Sequence, residues 1–147
     1  MIKVLKFFTT VSILIFLVAV LVVYAFLPDP SGLLFNSDGI SVIEVSKNTF
    51  FYSILFIFVI IQTLHIVFIQ TTLKRKEGNY NKKISIWIQG MILSINLFII
   101  LMIVFIGLAN NADDFSFKSI RFLALLAPSI VITWLLTLPF FMFIRKR

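Results

Sequence analysis

The chain has no cysteine. That absence removes disulfides, iron–sulfur clusters, thiolate metal sites, thiol redox chemistry and lipoprotein acylation. It also excludes the four-helix quinone-linked thiol oxidases, whose chemistry needs paired cysteines. Charge is scarce too: 13% of residues are Asp, Glu, Lys or Arg, against about a quarter in a soluble domain. Histidine occurs once, as His65. One histidine cannot supply both axial ligands of a b-type haem, and without cysteine or a buried acid too few ligands remain for a metal. Neither haem, metal nor any other cofactor is therefore expected in the isolated chain. There is no phosphate-binding glycine loop, nucleophile elbow or zinc-protease helix motif, so no catalytic residue is assigned.

What fills the sequence is hydrocarbon. Of 147 residues, 61% are apolar and 18 are Phe, and the mean hydropathy is +1.10. A water-soluble fold of this size could not hide so much apolar surface. Residues 7–28, 48–73, 84–112 and 122–144 contain no Asp, Glu, Lys or Arg. A spanning helix needs roughly 20 apolar residues to cross about 30 Å of hydrocarbon, so each interval is long enough to cross once and too short to cross twice. Lipid leaves no partner for unpaired backbone, which favours helices, and the runs lack the polar-in, apolar-out alternation of an outer-membrane barrel. The expected fold is an all-α membrane protein of four transmembrane helices, over residues 7–27, 50–73, 84–109 and 120–144. It is expected to be one membrane domain with small loops. The first run resembles a signal peptide, but it is longer than a usual signal core and is expected as a retained helix.

The net charge of +7 does not point to nucleic acid, because the basic residues sit at helix ends. Lys3 and Lys6 precede the first run; Lys74, Arg75, Lys76, Lys82 and Lys83 fill the second connection; Arg145, Lys146 and Arg147 close the chain. Those ten of the 13 basic residues fall on one side of four crossings, while five of the six acids fall on the other. By the positive-inside rule both termini and the 74–83 connection are cytoplasmic. The expected location is the cell (inner) membrane. The connection is also short enough to make the second and third helices an antiparallel hairpin, with Gly78 and Asn79 as turn residues. Residues 29–49 form the longest stretch outside the runs. Asp38-Gly39 is a turn signal and residues 40–46 alternate apolar with polar, so a short strand or hairpin competes with an amphipathic surface stretch.

Polar residues inside the runs are few. Gln62 and His65 lie in the second; Gln89, Gly90, Ser94 and Asn96 lie in the third. At about 1.5 Å per residue, Gln62 stands about 16 Å above Leu73, Asn96 about 18 Å above Ile84 and His65 about 12 Å above Leu73. These matched depths on one hairpin predict a polar cluster of Gln62, His65, Gln89 and Asn96. Leu55, Phe58, Gln62, His65 and Ile69 follow steps of three and four, one helix face; Gly90 and Ser94 form a small-xxx-small pair. The structural reading has these amides bonding each other to pin the hairpin, at about 0.6 kcal/mol per bond and sometimes 1–2; the functional one has them line a path or site for a ligand, a proton or a quinone. The structural reading is preferred, since amides carry no charge. In the fourth run Ser129, Thr133 and Thr137 share a ridge, with Pro128 and Pro139 nearby. Helix packing, with hydroxyls bonded to carbonyls freed by the prolines, is preferred over a pore stripe. Asp113 and Asp114 are adjacent loop acids without the further oxygen ligands of a calcium loop.

No ionised carboxylate lies inside any run, which argues against a small proton- or cation-coupled exporter. The favoured expectation is a non-catalytic membrane subunit or scaffold of a larger respiratory, secretion, motor or transport assembly, with the bilayer and other membrane subunits or a second copy as partners. A small oligomeric channel or carrier is one alternative, and a membrane redox or lipid enzyme using His65 is another.

Overall fold

The computed structural model describes residues 2–74, 79–111 and 117–143. It is mostly helical, with four helices long and apolar enough to cross a membrane. In chain order these are α1 (Ile2–Phe26), α2 (Lys47–Lys74), α3 (Asn79–Asn110) and α4 (Phe117–Phe143), with strands β1 (Ser31–Phe35) and β2 (Ser41–Val45) between α1 and α2.

The helix ends have local causes. α1 stops at Phe26 because Pro28 lacks an amide donor and restricts Leu27 before it. α2 starts at Lys47 because Ser46 caps it: the Thr49 amide donates to Ser46 Oγ at 3.2 Å, satisfying one of the free amides of a first turn. The charge-free intervals misplace these boundaries, since a helix continues past the last apolar residue wherever backbone bonding allows. α1 therefore includes Lys3 and Lys6, α4 includes Lys118 and Arg121, and Asn79 is the first residue of α3 rather than a turn residue. Gly78, Asp113 and Asp114 lie outside the described residues.

Residues 31–45 form a β-hairpin. Asn36 organises its turn, with Oδ1 accepting from the amides of Asp38 and Ile40, each at 2.9 Å. Gly39 takes φ +83°, a conformation that only glycine adopts without strain. Leu33 and Val45 pack on the helix core, while Phe35 meets Phe105 and Phe117 at 6.0 and 5.9 Å between ring centroids. The β1 edge is closed by Asn110: Gly32 N donates to Asn110 Oδ1 at 2.7 Å, and Asn110 Nδ2 donates to Gly32 O at 2.9 Å. A side-chain amide thus stands where a third strand would bond.

α3 is the axis of the molecule. Its apolar window is 39% buried, against 22% for α1 and 6% each for α2 and α4. α1 and α2 lie along one side of it and α4 along another. Both α1 and α3 run toward the hairpin, so they pack in parallel, and they keep one register: Ser12 meets Asn96 and Val23 meets Gly107, 84 positions apart in each case. Gly107 permits that contact, since a Cβ there would stand 2.9 Å from Val23 Cγ2. Nearer the hairpin the core is apolar. Phe16 and Phe58 stack at 3.6 Å between centroids with ring planes 7° apart, packed among Val20, Ile99 and Ile103.

Candidate functional site

The buried face of α3 changes character along its length. Ser85, Gln89, Ile92, Asn96, Ile99 and Ile103 recur at steps of four and three, which keeps them on one stripe. All six are buried. The stripe is largely polar toward the start of the helix and apolar toward its end. α1 mirrors it with buried Thr9 and Ser12, then buried Phe16 and Val20.

Where the polar halves meet, three helices are tied by one chain of hydrogen bonds. Gln62 Nε2 of α2 donates to Asn96 Oδ1 of α3 at 2.7 Å. Asn96 Nδ2 donates to Ser12 Oγ of α1 at 2.8 Å, and Ser12 Oγ donates to the Thr9 carbonyl at 2.7 Å. Asn96 is fully buried, and both ends of its amide are engaged, one on each flanking helix. No competing solvent reaches it, so the pair of bonds holds α1, α2 and α3 at one height.

The other candidate residues are placed differently. His65 lies one turn below Gln62, and its Nε2 is buried without a hydrogen-bond partner among the described residues. The same holds for Gln89 Oε1 and Ser85 Oγ. His65 stands in the wall of a groove of about 410 Å³ between α2 and α3, with Ile61, Trp87, Met91 and Ile95.

Gly90 and Thr137 belong to the seam between α3 and α4. The Trp134 indole lies directly on Gly90, and its Nε1 donates to the Trp87 carbonyl at 3.1 Å. In exchange Trp87 Nε1 donates to Thr137 Oγ1 at 3.1 Å. Ser94 Oγ returns to the Gly90 carbonyl at 3.0 Å, within its own helix. Ser129 and Thr133 are exposed on the outer surface of α4. The hydroxyls of Ser129 and Thr137 bond the carbonyls three residues back, Leu126 and Trp134, at 2.7 and 2.6 Å. Those are not the carbonyls that Pro128 and Pro139 leave free, which belong to Ala124 and Leu135. A short side chain reaches back three positions on its own turn more directly than it reaches across to a neighbouring register.

Two participants were not singled out from the sequence. Ser12 appears there only as a polar residue near the start of an apolar helix. Its signal is positional: Thr9, Ser12 and Phe16 share one face. Trp134 carries no such signal, because an aromatic residue in an apolar run looks like any lipid-facing one. No known protein family, curated protein or solved structure matches this chain. Its function must therefore be argued from this geometry. Amides and hydroxyls neither titrate near neutral pH nor attack a substrate without an activating base, and the Gln62-to-Thr9 chain contains nothing else. Its chemistry suits holding helices in place.

Proposed function

We propose that the chain is a multi-pass integral membrane protein, with both termini and the α2-to-α3 connection on the cytoplasmic side, serving as a non-catalytic subunit or scaffold of a larger membrane assembly. The observation that carries this reading is how the polar groups are used. Asn96 spends both ends of its buried amide on neighbouring helices, and Trp87 and Trp134 exchange bonds across the α3–α4 seam. Around that tied centre, α2 and α4 turn almost their whole apolar windows outward. Such faces suit lipid or the helices of a partner. The orientation draws on the sequence positions of the basic residues, ten of 13 of which fall before the first charge-free run, between the second and third, or after the fourth. The loops are too small to house an independent soluble activity.

A tagged chain extracted from native membranes in mild detergent should copurify with a larger membrane protein at fixed stoichiometry. Recovery of the chain alone, in fully folded form and across several mild detergents, would dismiss the subunit reading.

A small carrier or channel draws support from one specific observation, the buried atoms of Ser85 and Gln89 that have no partner among the described residues. Unpaired polar groups cost several kcal/mol in hydrocarbon, so such atoms often mark a path. Reconstituted in liposomes, a carrier would show a flux that Gln89→Leu abolishes while folding survives.

A further inference from the structure

Three basic residues, Lys47, Lys118 and Arg121, stand close to the hairpin, at the starts of α2 and α4. Lys47 has a local use, since its Nζ lies 4.9 Å over the Tyr24 ring. Arg121 has none. It is exposed, one turn into an apolar helix, and has no hydrogen bond or ion pair among the described residues. A cation carried into such a helix calls for an anionic partner.

Arg121 lines a slot of about 350 Å³ between the hairpin and α4. The back wall is aromatic and fixes its shape: Phe35, Phe105 and Phe117 stand 5.9 to 6.2 Å apart between ring centroids. Met102 of α3 and Leu125 of α4 continue that wall in carbon. The hairpin turn adds Asn36 and Ser37 to the lining. Asn36 Oδ1 is taken up by the amides of Asp38 and Ile40. Asn36 Nδ2 and the Ser37 hydroxyl remain as donors, without a partner among the described residues. One end of the slot thus offers a guanidinium, an amide and a hydroxyl, and the other offers only carbon.

Size and chemistry together select the occupant. From Phe117 to Leu125 the slot follows eight residues of α4, about 12 Å. A volume of about 350 Å³ over that length leaves a section roughly 5–6 Å across, half the ~10–12 Å of a helix with its side chains. A partner helix is too wide to enter, whereas an alkyl chain fits. A guanidinium matches a phosphate with paired N–H donors. Phosphate at one end and alkyl at the other describe a phospholipid.

We propose that the slot between the hairpin and α4 holds one membrane phospholipid, with its phosphate on Arg121, Asn36 and Ser37 and an acyl chain along Phe105, Met102 and Leu125. The inference rests on the membrane reading above. It holds for either orientation of the chain, with or without a protein partner.

The test uses the full chain in nanodiscs made from equal parts phosphatidylglycerol and a phosphate-free diacyl glycolipid with the same chains, followed by native mass spectrometry after release. One phosphatidylglycerol should be retained per chain, enriched by about tenfold, as one hydrogen bond to a charged group provides. Arg121→Gln keeps the slot and should bring that preference close to one. Leu125→Trp, which fills the slot from an exposed position, should lose the retained lipid. Lys118→Gln removes an exposed charge that does not line the slot, and should leave the preference unchanged. Equal retention of the two lipids by the unaltered chain would overturn the proposal. An equal loss of preference in the Lys118 and Arg121 variants would also overturn it, since surface charge alone would then explain the binding. So would displacement by millimolar inorganic phosphate, because a lipid held by its chain outcompetes the free ion. If Leu125→Trp misfolds, the two charge variants decide. Alkaline carbonate extraction in parallel separates the failures: a chain released by carbonate defeats the membrane reading, whereas a retained chain without lipid preference defeats only the slot.

Discussion

Trp134 rests on Gly90 with no room for a methyl group between them: a Cβ at position 90 would stand 2.0 Å from the indole. The indole cannot easily retreat, because its Nε1 bond to the Trp87 carbonyl fixes it to the same helix that the methyl would grow from. Helices in lipid gain little from burying apolar surface against each other, so close backbone approach of this kind contributes much of their association. Gly90→Ala should therefore loosen the α3–α4 seam, at a cost of about 1–3 kcal/mol, typical of overpacking. The expected outcome is a lower melting temperature in detergent and red-shifted tryptophan emission. Unchanged values of both would show that α4 is held elsewhere.

Asn96 supplies the second test, because its two bonds go to two helices. Asn96→Leu removes both at once and leaves Gln62 facing hydrocarbon, a loss of about 1–3 kcal/mol. Adding Gln62→Leu should return part of that loss, since removing both members of a buried pair is less harmful than removing one. Thermal unfolding of the two single variants and the double variant completes the cycle. Strict additivity would mean that the amides do not depend on each other.

Much of this architecture is legible in the sequence, for physical reasons that differ from residue to residue. Charge-free runs mark four apolar helices because hydrocarbon tolerates few charges. Depth along a helix is linear in residue number, so Gln62 and Asn96 can be matched by counting. Helix ends are less legible: Ser46 caps α2 through one hydroxyl, four positions before residue 50, where the sequence reading starts that helix. The central position of α3 is hidden, because all four runs look alike by composition and only their burial differs. Ser12 escapes for the same reason, since its partner depends on which helix lies beside α1. The Trp87 and Trp134 exchange depends on the register between α3 and α4, which the sequence of neither helix reveals.

Orientation can be measured directly, because the chain has no cysteine of its own. Ser37, in the hairpin turn, and Val4, near the start of α1, are both exposed. In intact cells Ser37→Cys should react with a membrane-impermeant maleimide, and Val4→Cys should react only after permeabilisation. The expectation follows from the sequence, in which ten of the 13 basic residues fall before the first charge-free run, between the second and third, or after the fourth. The reverse labelling pattern would invert the topology and place the hairpin in the cytoplasm.

Ser129 and Thr133 distinguish a scaffold from a pore. Both are exposed on α4, and the Ser129 hydroxyl is already bonded to the carbonyl of Leu126. Under the proposed membrane reading a lone chain turns both toward lipid, and Ser129→Ala together with Thr133→Val then removes polarity without opening a cavity. Substitutions at such surface positions usually stay within about 0.5 kcal/mol of neutral, so the pair should leave the melting temperature in detergent nearly unchanged. Thr137→Val differs, because it takes away the acceptor of the Trp87 indole and leaves that donor half-buried without a partner. It should destabilise by about 1 kcal/mol or more. The contrast between the two substitutions is the measurement. If the outer pair instead abolished an ion or solute flux in liposomes while folding survived, α4 would have to line a passage formed between several copies of the chain, and the scaffold reading would fall.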